Sequence, residues 1–327
     1  MSGPRNTART TGRTPGGTPY TVQGTGPHPV VLIAGAGGTG RIWEHHQVPA
    51  LTAAGYRVIT FDHGPEAAGP GTTGPAAAGQ TAGPEDAGRE TAGPEDAGRK
   101  AAGAETAGRA AYGAEAAGPG ALAARTVELL AALDLPPCPL VGHSLGALAV
   151  QELLLTDAHR VSGALLAATR GRSDVLAEAL ARAETAAAYA GTRPPPAYEA
   201  FVRLVLNLSP RTLADEGAAA EWLDLFELAA LTGESAAADR PLPPLGHRLA
   251  DFGRIPVPVL VVGFADDVLA PAPLGREVAA AIPGARYAEL ADAGHLGFLE
   301  RPDAFNGLLL DFLATLAPTD PGVSHAP

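Results

Sequence analysis

The run Gly142-His143-Ser144-Leu145-Gly146 constrains this chain more than any other five residues. It lies between a short apolar run, 138–141, and an apolar stretch of helical character, 147–155. A serine at such a junction occupies a strand-to-helix turn tight enough to strain its backbone. Glycines two residues to either side leave room where side chains would collide with the neighbouring strand and helix. The expected unit is strand, turn, helix, with a hydroxyl held out at the strand's C-terminal end. The bland alternative is a glycine-flanked serine capping an ordinary helix.

A serine hydroxyl is a poor nucleophile near neutral pH, so it needs a base and a group that orients the base. Two later segments can supply them. Residues 258–264 run apolar and β-branched without polar interruption, as a buried strand does, and Ala265-Asp266-Asp267 follows at its end. Residues 286–291 read as another strand, followed by Asp292-Ala293-Gly294-His295-Leu296. The order Ser144, Asp267, His295 places an alcohol, a carboxylate and an imidazole at the C-terminal ends of strands, where open α/β sheets gather their chemistry.

In that order and setting the chain resembles the α/β-hydrolase superfamily, in the capped single-domain branch that includes esterases and cofactor-free haloperoxidases. The resemblance covers roughly residues 18–62 and 118–316. It is carried also by Asp267-Val268-Leu269-Ala270-Pro271, an acid followed four residues later by proline, and by the histidine loop Gly294-His295-Leu296-Gly297-Phe298-Leu299-Glu300-Arg301-Pro302. It implies an α/β fold with a mostly parallel central sheet flanked by helices and a helical cap. Ser144 is then the nucleophile, His295 the general base and acid, and Asp267 the residue that holds the imidazole, with Asp266 as its rival. The implied reaction is acyl transfer to water from an ester or thioester through an acyl-enzyme, with no cofactor.

Such a reaction needs donors aimed at a developing oxyanion. The N–H of Leu145, at the start of the helix after the serine, is one. The second belongs in the loop Ala34-Gly35-Ala36-Gly37-Gly38-Thr39-Gly40 after the strand 30–33, and the resemblance assigns it to the N–H of Ala36. The family usually has histidine where this chain has Ala34. The same glycine-rich loop also resembles a dinucleotide fingerprint, with Asp62 as the acid such a site wants at the end of the next strand. That reading leaves the serine, acid and histidine without a role.

Composition sets the remaining bounds. A chain of 327 residues with 46% hydrophobic content can hold one α/β domain with an insertion. A net charge of −12 argues against nucleic acid and anionic membranes as partners. No run is apolar enough to span a bilayer, and the N-terminus lacks an apolar signal core, which makes cytoplasm the expectation. The single cysteine, Cys138, is expected in a core strand. The histidines show no metal-ligand spacing, so no metal is expected. A single lysine, Lys100, among many arginines fits a GC-rich bacterial coding sequence.

Residues 1–17 are Pro, Gly, Thr and Arg-rich and are expected to be disordered, ahead of a domain spanning 18–316 and a flexible tail, 317–327. Residues 18–23 suit an early edge strand. Within 64–120 a ten-residue unit recurs, Thr81 to Glu90 and again Thr91 to Lys100, with too little apolar surface to stack. It is expected to form a mobile excursion. Residues 174–254 carry helical patterning over 174–190, 197–207, 221–231 and 245–252, broken by prolines, and are expected to form the cap. Tyr198, Phe201, Trp222 and Phe226 are its candidates for lining an apolar pocket, against the plainer role of gluing cap to core.

The expected partner is a moderately large apolar ester or thioester, with an acyl carrier protein as a further candidate. The same residues also suit carbon-carbon cleavage, elimination, cyclisation or cofactor-free peroxidation in natural-product tailoring. A receptor that keeps the frame without turnover is the competing class.

Overall fold

The computed structural model describes residues 8–63, 118–191, 194–232 and 245–316. The repeats in 64–117, residues 1–7 and the tail 317–327 lie outside the described residues. Eight strands form one sheet: β1 (Arg9–Arg13), β2 (Pro19–Gln23), β3 (His28–Ile33), β4 (Tyr56–Phe61), β5 (Cys138–His143), β6 (Val161–Ala167), β7 (Val259–Phe264) and β8 (Arg286–Leu290). Their order is β1-β2-β4-β3-β5-β6-β7-β8. From β4 to β8 all pairings are parallel, while β2 runs antiparallel to both β1 and β4.

β7 buries all six of its residues, as an interior strand of a parallel sheet must when helices cover both faces. Alternation along the strands divides the apolar side chains between two cores. Val31, Ile33, Ile59, Leu140, Leu166 and Val261 share one with α2 (Pro119–Ala132), α3 (Leu145–Thr156) and α8 (Ala272–Ala281). Val30, Leu32, Val58, Val141, Leu165 and Val262 share the other with α1 (Gln47–Ala53) and α10 (Pro302–Leu316). Cys138 is buried in the first of these, as its place in an apolar run suggested.

From β3 the chain steps to one side for β4 and returns to the other side for β5, so β3 pairs with both. The loops leaving β3 and β5 therefore diverge. That switch in direction opens the crevice where open α/β sheets bind their ligands.

The N-terminal expectation needs correction. Residues 9–13 are not disordered but form β1, with Arg9 opposite Gln23 and Arg13 opposite Pro19. Turn chemistry outweighs composition there: the N–H of Thr14 bonds the carbonyl of Thr18 at 2.9 Å, and Gly17 takes φ 89° to close the loop. An edge strand needs little core of its own, because its ladder to β2 satisfies the backbone.

Between β6 and β7 lie α4 (Val175–Ala190), α5 (Pro196–Asn207), α6 (Pro210–Leu213), α7 (Glu216–Thr232) and a 3-10 helix, Leu249–Arg254. The helix expected over 221–231 starts earlier because Asp215 caps it, its Oδ1 accepting from the N–H groups of Gly217 at 3.0 Å and Ala218 at 3.1 Å. The helix expected over 245–252 is the 3-10 turn instead, and it puts Phe252 into the first core. α5 and α7 pack against each other.

Candidate active site

β5 ends at His143 and α3 begins at Leu145, leaving Ser144 alone in the turn at φ 53°, ψ −117°. That backbone is uncommon for any residue but glycine and costs on the order of 1–3 kcal/mol. It is held from both sides, the Ser144 N–H bonding the Ala167 carbonyl at 3.0 Å and the Ser144 carbonyl accepting from the Leu148 N–H at 3.1 Å. The two flanking glycines are needed for space. A Cβ on Gly142 would lie 2.5 Å from the Gly146 carbonyl oxygen, and one on Gly146 would lie 2.2 Å from that of Ile33.

The structure brings Ser144, His295 and Asp267 into one hydrogen-bonded line. Nε2 of His295 is 2.9 Å from Ser144 Oγ, and its Nδ1 is 2.8 Å from Asp267 Oδ2 and 3.0 Å from Oδ1. An ionised carboxylate only accepts, so Nδ1 carries the proton and Nε2 presents its lone pair to the serine hydroxyl. The carboxylate against His295 is that of Asp267, not Asp266. Its Oδ1 also accepts from the N–H groups of Leu269 at 2.8 Å and Ala270 at 2.9 Å, which closes the loop after β7. Burial pushes the Asp267 pKa up, but His295 and the two backbone donors outweigh it and leave the carboxyl below its ordinary value.

Sequence reasoning missed two supports of this line. His143, the last residue of β5, is 3% exposed. Its Nε2 donates to the His295 carbonyl at 2.8 Å, and its ring centroid lies 4.9 Å from that of His295 and 4.7 Å from that of Phe298. Burial, and then the neighbouring His295, push its pKa down to about 3, so it is a neutral donor. Its Nδ1 has no hydrogen-bond partner among the described residues. Strand alternation was the available signal, since His143 falls on the same face of β5 as the buried Val141. The second support is Arg170, whose Nη1 donates to the Leu269 carbonyl at 2.9 Å and so braces the Asp267 loop from the end of β6. Nothing in its local sequence points to that role.

The loop after β3 passes directly against the serine: a Cβ on Gly35 would lie 3.2 Å from Ser144 Cβ. No described acceptor takes the N–H of Leu145 or of Ala36. Where the family places a histidine, Ala34 has only a methyl group, and its carbonyl is held from beyond the end of β4. His63 Nε2 donates to the Ala34 carbonyl at 3.0 Å, and Arg125 Nη1 holds the His63 carbonyl at 2.8 Å. Asp62, the acid of the dinucleotide reading, uses its Oδ1 to accept from the Gly40 N–H at 2.7 Å, which ties it to the loop's own backbone.

The four candidate pocket residues separate into two pairs. Trp222 and Phe226 stack along α7 with ring centroids 5.6 Å apart. Tyr198 and Phe201 are 61% and 56% exposed. Both lie on the exposed stripe of α5, whose buried residues are Ala200 and Leu204. Among the described residues no helix is long and apolar enough to cross a membrane.

Comparison with known proteins places this geometry in a family context. The model of the alpha/beta hydrolase family matches residues 30–308. A Mycobacterium tuberculosis protein named as a non-heme bromoperoxidase, BpoC, is 39% identical over 298 residues, covering 91% of this chain and 97% of the relative. Its crystal structure superposes with a TM-score of 0.71 over 92% of this chain and 97% of its own. A Klebsiella pneumoniae protein named as a carbamate hydrolase, RutD, is 32% identical over 212 residues, 60% of this chain and 74% of the relative.

Proposed function

This chain belongs to the alpha/beta hydrolase family, and from that premise we propose that it is a serine hydrolase acting on a carboxylic ester or thioester through an acyl-enzyme. One observation carries the reading: Ser144 Oγ lies 2.9 Å from His295 Nε2, whose other nitrogen is 2.8 Å from Asp267. Ser144 Oγ attacks the carbonyl carbon while its proton passes to His295 Nε2. Asp267 holds the ring and stabilises the imidazolium. The N–H groups of Leu145 and Ala36 receive the oxyanion. Collapse of the tetrahedral adduct breaks the bond to the leaving group, which takes the proton from His295. Water then enters by the same route in reverse and frees the acid and Ser144.

The helices between β6 and β7 serve as the cap, and they favour an apolar acyl group. Val175, Tyr189, Phe201, Leu225, Leu228 and Leu231 are all large, apolar and more than half exposed on them. A long-chain acyl group, free or tethered to a carrier protein, suits such a surface. The likeness to BpoC, spanning 91% of this chain, supports a second reading in which the same serine forms an acyl-enzyme that a peroxide, rather than water, attacks.

A fluorophosphonate probe labels the wild-type protein and not Ser144→Ala, and p-nitrophenyl esters and acyl thioesters of graded chain length show turnover that rises with apolar length. Turnover retained in Ser144→Ala removes the covalent mechanism. A flat, near-zero profile across both series removes the ester and thioester assignment.

A further inference from the structure

We propose, building on the roles given above to Ser144, His295 and Asp267, that Glu300 is a positioning residue. Its carboxylate fastens the corner between α5 and α6 to the loop that carries His295, so that order in the inserted helices governs where the imidazole sits. Oε1 of Glu300 accepts from the N–H of Ser209 at 2.9 Å and from its Oγ at 2.8 Å. Oε2 accepts from the N–H of Gly294 at 2.6 Å. One carboxylate thus spans two segments 85 residues apart in sequence, Ser209 and Gly294, and both ends of the span are buried.

The backbone runs the same way. The N–H of Leu296 donates to the Asn207 carbonyl at 3.1 Å, so the residues on either side of His295 are both tied to this corner or to Glu300. Gly294 explains the closeness: a Cβ there would lie 2.6 Å from the Asn207 carbonyl oxygen and from the Leu208 carbonyl carbon. Only hydrogen fits between the loop and the helix end. The corner is itself fixed, since Ser209 caps α6 with its Oγ 3.3 Å from the Thr212 N–H. The short helix α9 (Gly297–Glu300) turns the chain back so that a carboxylate on its last residue reaches the N–H just before the histidine. Three donors converge on this group, and only an ionised carboxylate accepts on every face; an amide would turn an NH2 toward one of them. With His143 holding the His295 carbonyl at 2.8 Å, the histidine's backbone is fixed on both sides of its ring. Displacing it shifts Nε2 relative to Ser144 Oγ, a misplacement to which rates are acutely sensitive.

The test uses the full chain as Glu300→Ala, Glu300→Gln and Ser209→Ala, with two readouts: the pH dependence of fluorophosphonate labelling at saturating probe, and hydrogen exchange in peptides covering 205–213 and 291–299. Glu300→Ala is expected to slow labelling on the order of tenfold to a hundredfold, to displace the pH profile, and to speed exchange in both segments together. Glu300→Gln falls between it and the wild type, because one arm survives. Ser209→Ala, which removes the Oγ bond but keeps the Ser209 N–H bond and the Gly294 arm, raises exchange at 205–213 and, to a smaller extent, at 291–299. Wild-type labelling with a wild-type pH profile in Glu300→Ala overturns the proposal, and so does exchange that rises in one segment only. Where Glu300→Ala fails to fold, wild-type behaviour of Glu300→Gln overturns it instead. A wild-type protein that takes no label at all refutes the serine-hydrolase reading, while the exchange data still decide whether Glu300 joins the two segments.

Discussion

His143 offers a stability measurement that isolates one buried group. In the fold its pKa is pushed down from 6.5 to about 3 by burial and by the adjacent His295. The unfolded chain has no such burial and takes up a proton near the ordinary value. Between the two values the unfolded state binds more protons than the native one, so stability rises with pH across that window. The contribution is complete above about pH 7 and lost as pH falls through 6.5 toward 3. At pH 5 the loss worked from these two values is about 2 kcal/mol, at about 1.4 kcal/mol for each pH unit well inside the window. His143→Gln keeps an N–H donor for the His295 carbonyl and cannot titrate. Urea unfolding of wild type and His143→Gln at pH 8, 7, 6, 5 and 4.5, read as the difference between the two, removes every other titrating group common to both. The wild type is expected to lose about 2 kcal/mol relative to the variant between pH 8 and pH 5. A difference that stays flat across that range refutes the assignment of a buried neutral imidazole at position 143.

Three further outcomes follow from the geometry. Asp267→Asn should lower kcat on a p-nitrophenyl ester by roughly 10³ to 10⁴, through loss of the Nδ1–H tautomer of His295, whereas Asp266→Asn should stay within a few-fold of wild type; equal losses in both would misplace the acid. Gly146→Ala should cost about 3 kcal/mol in urea unfolding, because the new methyl group would lie 2.2 Å from the Ile33 carbonyl oxygen in the core of the sheet, and a near-neutral value would contradict that packing. Burial pushes the Cys138 thiol up to about 12, and the residue is 1% exposed, so a disulfide-exchange reagent at pH 8 should react with it only in denaturant.

Much of the site was legible because its chemistry is written in local patterns. The serine turn shows as five residues, and the acid and histidine each follow an apolar strand run, so their common edge can be read before any contact is known. The supports are not local. Glu300 reaches Ser209 across 91 positions and Arg170 reaches Leu269 across 99, and no periodicity connects such pairs. The N-terminal strand was illegible for another reason. Arg9–Arg13 has no apolar face, and its order comes from main-chain bonds to β2 and from a glycine turn, neither of which hydropathy records.

The distribution of backbone strain ties these threads to the chemistry. Among the described residues the non-glycine positions with positive φ are Asp134, Ser144, Ala168 and Asp292. Three of them come directly or almost directly after a strand, Ser144 after β5, Ala168 after β6 and Asp292 after β8, all at the C-terminal edge of the sheet. Each turns the chain sharply where a glycine would do so at no steric cost. At Ser144 a glycine would remove the hydroxyl proposed as the nucleophile, which gives that strain a use. At Ala168 and Asp292 the turns lead into Arg170 and His295, the two side chains that reach Asp267 or its loop. A Cβ at these positions narrows the backbone's range relative to a glycine, at a cost in strain. Strain at this edge therefore works with the hydrogen bonds of Glu300 and His143 toward one end: keeping an imidazole within 2.9 Å of a hydroxyl that its own backbone holds out.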